Sequence, residues 1–215
     1  MRNPSGLAGR PKPSVVRVVP PQDLPEDDDA ALVSAVRAGT PRAAARVWDR
    51  YASLVRRLLR RTLGPTVDVD DALQEVFMRL FRDLASLREP TALRSFLIGI
   101  TMHVATSELR RRRARRWLLL SDDGTVPTTE VVSDEHVLEQ RQALHALYRI
   151  LDRVDTNRRL VFVLRYVESM ELTEMSAVLG CSLATTKRRV ADAAERISRL
   201  ASRDPHLAHY VGDVE

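Results

Sequence analysis

Ser182, Thr185, Thr186, Lys187, Arg188 and Arg189 stand within eight residues of one another, crowding hydroxyls and cations together. Such side chains recognise rather than transform, because they donate hydrogen bonds to phosphate oxygens and base edges of nucleic acid. The spacing around them predicts a helix: Ser182 is a capping residue, and Leu183, Thr186, Val190 and Ile197 recur on one inward face. A shorter helix precedes it, with Thr173 as its N-cap and Met175, Val178 and Leu179 sharing an apolar face, and Gly180 permits the tight turn that ends it. Two helices meeting at a glycine, the second leading with polar and cationic groups, is the arrangement a helix-turn-helix needs to enter a major groove. The same pattern also serves as a solvated face in all-helical proteins, so the rest of the chain decides between the two readings.

Two other clusters could carry chemistry. Residues 110–116 hold six arginines in seven positions, Arg110, Arg111, Arg112 and Arg113 among them. They cannot all face a core, and an anion relieves their mutual repulsion, so they read as a cationic end that neutralises phosphates. Asp68, Asp70, Asp71 and Glu75 could be a paired-acid catalytic or metal site. No histidine or second acidic cluster lies nearby in sequence, however, and acids at a helix start suit the helix dipole, so they read as caps. The single cysteine, Cys181, excludes an intramolecular disulfide and offers no metal cluster. The expectation is a protein with no catalytic residue, no metal and no cofactor.

The elements that position these residues read as helices throughout. Residues 1–28 hold six prolines and few large apolar side chains, the composition of a disordered tail. Leu32, Val33 and Val36 mark a first helix stopping at Gly39. Thr40 caps a second with Pro41 at its first position, and its stripe of Val47, Trp48, Tyr51, Leu54, Val55, Leu58 and Leu59 runs to Gly64-Pro65. Leu73, Val76, Phe77, Leu80, Phe81 and Leu84 give a third, strongly periodic helix whose opposite face carries Asp70, Asp71, Gln74, Glu75, Met78 and Arg79. Leu93, Phe96, Leu97, Ile100, Val104 and Leu109 form the inner face of a fourth that runs into the arginines. Residues 121–135, rich in acids, Ser, Thr, Gly and Pro, read as a flexible linker. Helical spacing resumes with Val137, Leu138, Leu144, Leu147, Ile150 and Leu151, and again with Leu160, Val161, Leu164 and Val167.

Charge follows the same division. Residues 30–120 carry 18 basic and 8 acidic groups, residues 121–151 carry 2 and 6, and residues 152–215 carry 10 of each. A basic first unit favours a polyanionic partner. No apolar run approaches a membrane span and the N-terminus lacks a signal core, so a cytoplasmic protein without membrane insertion is expected. The predicted fold is all-α, two small helical domains over 29–120 and 136–203 joined by the linker, with tails at 1–28 and 204–215.

In this order the pieces resemble the extracytoplasmic-function group of sigma-70 family sigma factors, over about residues 29–201. DDALQEVFMRLFRDL at 70–84 looks like the family's polymerase-binding helix. LREPTALRSFLIGITMHVATSELRRRR at 87–113 is similar to its minus-ten melting and reading segment. LVFVLRYVESMELTEMSAVLGCSLATTKRRV at 160–190 is similar to its minus-thirty-five-reading domain.

The resemblance implies core RNA polymerase and promoter DNA, duplex and melted non-template strand, as partners, and commonly an anti-sigma factor. It implies that Asp70, Asp71, Gln74, Glu75, Met78 and Arg79 dock the polymerase. Arg88, Thr91, Arg94, Ser95, the outward positions Met102, His103 and Ser107, and Arg110 to Arg113 would serve the minus-ten strand. Ser182, Thr185, Thr186, Lys187, Arg188 and Arg189 would serve minus-thirty-five. The chain departs from the family's pattern where Phe96 replaces a usual tryptophan, Gly99 an arginine, His103 an asparagine and Ser107 an aspartate or asparagine. A free-standing dimeric helix-turn-helix regulator explains residues 160–200 alone, and an enzyme built on the Asp68 to Glu75 acids leaves that motif as mere targeting.

Overall fold

In a computed structural model of the chain, the described residues are 28–118 and 135–208, and no strand occurs among them. The tail expected over 1–28 lies outside them except for Asp28, as does the linker expected over 121–135 except for Glu135. Helix α1 (Asp29–Arg37) starts where the Asp28 carboxylate accepts from the Ala30 amide at 2.9 Å, and it stops before Gly39, whose φ of 66° closes the turn. Helix α2 runs over Ala43–Leu63. The expected Thr40-Pro41 cap is not used: both residues sit in the turn, and Arg42, at a left-handed φ of 66°, occupies the N-cap without a side-chain bond. The stripe of α2 is buried at Val47, Tyr51, Val55, Leu58 and Leu59, whereas Trp48 lies at the edge and packs against Phe77 with its ring tilted by 47°, centroids 4.4 Å apart.

Helix α3 (Asp70–Asp83) buries Leu73, Val76, Phe77 and Leu80 against α2 and against α4 (Leu93–Leu118). A 3-10 turn over Pro90–Ala92 delivers the chain into α4. Arg37 closes the bundle by donating to the carbonyls of Leu84, at 3.0 Å, and of Leu87.

The second unit comprises α5 (Glu135–Arg153), α6 (Thr156–Phe162) continued by a π-helical turn over Val163–Val167, α7 (Leu172–Leu179) and α8 (Leu183–Ala201). Asp155 caps α6 through the Arg158 amide at 3.1 Å. Its carboxyl is held below the ordinary range because hydrogen bonds and charge from Arg158 outweigh its partial burial. Ile150 and Leu151 of α5 pack with Ile197 and Ala201 of α8. Leu138 and Leu144, expected on the inner face of α5, are instead exposed, because only the C-terminal half of that helix meets α8.

The two units share one seam. Leu160, Val161, Leu164, Met170 and Met175 join the same apolar core as α2, α3 and α4. At the C-terminus of α2, where helical carbonyls lack intrahelical donors, Arg159 donates to the Thr62 carbonyl at 2.6 Å and Tyr148 donates to the Arg61 carbonyl at 3.2 Å. Arg61 in turn reaches Glu168 at 2.7 Å. Helix α7 lies along α4, with Arg94 paired to Glu174.

Candidate nucleic-acid interface

Three surfaces carry the residues singled out from the sequence. On α3, Asp70, Asp71, Gln74 and Met78 are exposed, Met78 at 61%, and Glu75 and Arg79 bind each other at 2.6 Å. Asp70 also faces Arg56 at 3.2 Å, so these acids are balanced by cations of their own bundle rather than gathered into a charged pocket. The Asp68 carboxylate accepts from the Asp70 amide at 2.9 Å and so serves the helix start, although Val69 holds the N-cap position itself.

Along the loop and α4, Arg88, Thr91, Arg94, His103 and Ser107 are exposed and Ser95 is half-buried. Met102 is not outward as expected. It is 4% exposed because α4 is gripped by α2 and α3 on one side and by the second unit on another, which leaves a narrower free strip than the sequence period suggests. The arginines at the end of α4 divide by partner. Arg111 and Arg112 bind Glu108, whose carboxyl stays below the ordinary range because these guanidinium contacts outweigh its partial burial. Arg113 donates to the Val154 carbonyl at 2.9 Å, just past the end of α5. Arg110 and Arg115 are exposed.

In the helix-turn-helix, Gly180 takes a φ of 60° at the C-cap of α7, and the Ser182 hydroxyl accepts from the Thr185 amide at 3.2 Å at the N-cap of α8. Thr173 does not cap α7. Glu171 holds that place without a side-chain bond, and the Thr173 carbonyl accepts from Ser176 instead. Leu183, expected inward, is 38% exposed at the leading tip. Thr186 is completely buried, its hydroxyl donating to the Ser182 carbonyl at 3.1 Å, and is a packing residue rather than a DNA contact. Ser182, Thr185, Lys187, Arg188 and Arg189 remain at the surface of the first two turns, where amide dipoles add to the cations. Behind them Arg158 ties α6 to α8 through Asp192 at 2.8 Å. Its guanidinium is held still more firmly protonated by the hydrogen bonds to Asp192 and Asp155.

The first unit's match to known proteins covers residues 47–115, which fit the family model of Sigma-70 region 2, and the second unit's covers residues 144–197, which fit that of Sigma-70, region 4. The chain belongs to the sigma-70 family. Within that family it lies in the extracytoplasmic-function group. It is 28% identical over 186 residues to the RNA polymerase sigma factor CnrH of Cupriavidus metallidurans, covering 84% of this chain and 97% of that one. It is 29% identical over 175 residues to the ECF RNA polymerase sigma factor SigM of Mycobacterium tuberculosis, covering 81% and 85%. The fold matches the structure of CnrH in complex with the cytosolic domain of CnrY, with a TM-score of 0.57 and 24% identity over 83% of this chain and 99% of that one. As a sigma factor the chain is of the class that directs promoter-specific initiation by RNA polymerase, and sigma factors are initiation factors, not enzymes. No helix among the described residues is long and apolar enough to cross a membrane.

Sequence reasoning missed the residues that join this sigma factor's two units. Arg61, Arg159 and Glu174 were given no role from the sequence, because a charged residue within a helical pattern carries no local sign of a distant partner.

Proposed function

We propose a division of labour among the three surfaces. The exposed face of α3, with Asp71, Gln74 and Met78 at its centre, docks core RNA polymerase. The loop at 87–91 and the outward strip of α4, from Arg94 and Ser95 to His103, Ser107 and Arg110, hold the melted minus-ten strand. Unstacked bases are captured there in place of their lost pairing, so no nucleotide hydrolysis is required. Thr185, Lys187, Arg188 and Arg189 read the intact duplex at minus-thirty-five, with Lys187 and Arg189 directed to phosphates and Arg188 to base edges.

The observation that carries this reading is the separation of the surfaces. The α3 face presents Asp71, Gln74 and the apolar Met78 beside the ion pairs Asp70–Arg56 and Glu75–Arg79, a mixed surface that suits a protein partner, while exposed cations cluster on α4 and at the tip of α8. An anti-sigma partner is proposed as well, supported by the likeness in fold to CnrH, solved with the cytosolic domain of CnrY. A free-standing dimeric regulator leaves the α3 face and the region 2 match without a role. The test is initiation by the full chain with core polymerase on a promoter-fragment library. Changing Asp71, Gln74 and Glu75 together to alanine is expected to abolish it. Lys187→Ala and Arg188→Ala are expected to weaken upstream contacts while sparing polymerase binding. Transcription retained by the triple variant overturns the docking assignment.

A further inference from the structure

We propose that the chain carries a small-anion site: the cleft between the end of α4 and the start of α6 takes a compact diphosphate, free or as the phosphate chain of a nucleotide. The cleft is an open cavity of about 600 Å³, lined by Arg110, Arg113 and Ala114 from one unit and by Asp155, Thr156 and Asn157 from the other. That volume falls in the range of small-molecule pockets. Only Arg110 is shared with the strip assigned to the minus-ten strand. Arg110 and Arg113 stand three positions apart on α4 and so neighbour each other on one face. Arg113 is held from behind, its Nη2 donating to the carbonyls of Val154 at 2.9 Å and Asp152 at 3.3 Å. These partners are neutral, so its charge is positioned without being cancelled. Arg110 is exposed and forms no hydrogen bond or ion pair among the described residues.

The carboxylates beside the cleft are committed elsewhere. Asp155 accepts the Arg158 amide at one oxygen, at 3.1 Å, and the Arg158 guanidinium at the other, at 2.5 Å. Asp152 pairs with Arg159 at 2.5 Å, and Glu108 takes Arg111 and Arg112. Two guanidinium charges therefore face the cavity uncancelled, and the opposite wall adds neutral donors. The Thr156 hydroxyl and the Asn157 carboxamide form no hydrogen bond among the described residues. Recognition rests on these side chains, since the α6 amide beside them already serves Asp155. Guanidinium forks bind phosphate oxygens in a bidentate manner, and two of them side by side match two linked phosphates better than one. Occupancy bridges the two units and, given the minus-ten assignment, draws Arg110 away from the strand.

The test is calorimetric titration of the full chain, at constant ionic strength, with inorganic pyrophosphate, ADP and sulfate. Pyrophosphate is expected to saturate one site per chain and to bind about tenfold more tightly than sulfate, the worth of one further charge-assisted contact. Asn157→Asp is expected to weaken pyrophosphate binding about tenfold, and Asn157→Arg to tighten it by a similar factor. Asn157 is exposed, so both variants keep the fold, which circular dichroism verifies. Arg110→Gln is expected to weaken binding as Asn157→Asp does. Equal affinity for ADP assigns the diphosphate as the group recognised. Absence of saturable pyrophosphate binding to the folded chain, or binding indifferent to both Asn157 changes, overturns the site. A short duplex that displaces pyrophosphate and responds equally to both Asn157 changes reassigns the cleft to a nucleic-acid backbone and overturns the small ligand. These titrations use neither polymerase nor promoter, so failure of the proposed function leaves their outcome untouched.

Discussion

Arg159 of α6 spans the seam between the two units, giving its Nε proton to the Thr62 carbonyl at 2.6 Å while Nη1 meets Asp152 at 2.5 Å. At 3% exposure this guanidinium is buried, and its Cζ lies 5.9 Å from the Tyr148 ring centroid. A charge so placed holds geometry rather than adding large net stability, because its desolvation offsets much of the attraction.

Replacing it with an apolar residue of similar length tests that. Arg159→Met leaves the Thr62 carbonyl buried without a donor, and we expect a loss of about 2 kcal/mol in urea unfolding. Asp152 is 41% exposed and is rehydrated, which keeps the loss below that of stranding a buried charge.

The neighbouring Thr62 offers the opposite sign. Its Oγ1 is buried without a hydrogen-bond partner, and the side chain is completely inaccessible. Thr62→Val keeps the shape and removes the unpaired hydroxyl, so a gain of about 1 kcal/mol is expected. In a chain of this size that corresponds to a melting temperature higher by about 2–4 °C in scanning calorimetry.

Tyr51 makes stability fall in alkali. Its hydroxyl is pushed up to about 12, first by burial and then by the hydrogen bond to Asp29 at 2.6 Å. A folded value above the unfolded one means that the folded chain holds the proton longer. The contribution is therefore complete below pH 10 and disappears between about 10 and 12. Tyr51→Phe is expected to be less stable near neutrality by about 1–2 kcal/mol, having lost that bond to a carboxylate. It should also show a flatter decline over this window in denaturant titrations taken at stepped pH.

For minus-thirty-five binding, Lys187→Ala and Arg188→Ala separate two kinds of contact. Loss of a phosphate contact lowers the slope of log affinity against log salt by about 1 and weakens all duplexes alike. Loss of a base contact costs about 1–3 kcal/mol on the cognate duplex and relaxes one position. We expect the first pattern for Lys187 and the second for Arg188, read from fluorescence anisotropy over a salt series on cognate and scrambled duplexes.

The second half of the helix-turn-helix was legible almost to the residue, because its signals are local. Ser182 satisfies an amide three residues ahead, and Gly180 supplies a left-handed turn that other residues adopt at a cost. The α3 stripe was equally plain, since burial there follows the 3.6-residue period. The Thr40-Pro41 and Thr173 caps misled for the same local reason: each residue type suits a cap, but the turn preceding the helix had already chosen another start.

By itself, then, the sequence determined which segments are helical, where they break, which family they match and where cations accumulate. Those properties depend on contacts within a few residues or on composition. Only the tertiary structure decided that Met102 is a core residue while Leu183 is exposed, that Arg113 is bound across the seam while Arg110 is exposed, and that Gly99 receives a helix 79 positions later at Val178. The physical reason is that a helix period states which residues share a face but not how many faces are covered. In this chain α4 is covered from two sides, by its own bundle and by the helix-turn-helix unit folded back upon it.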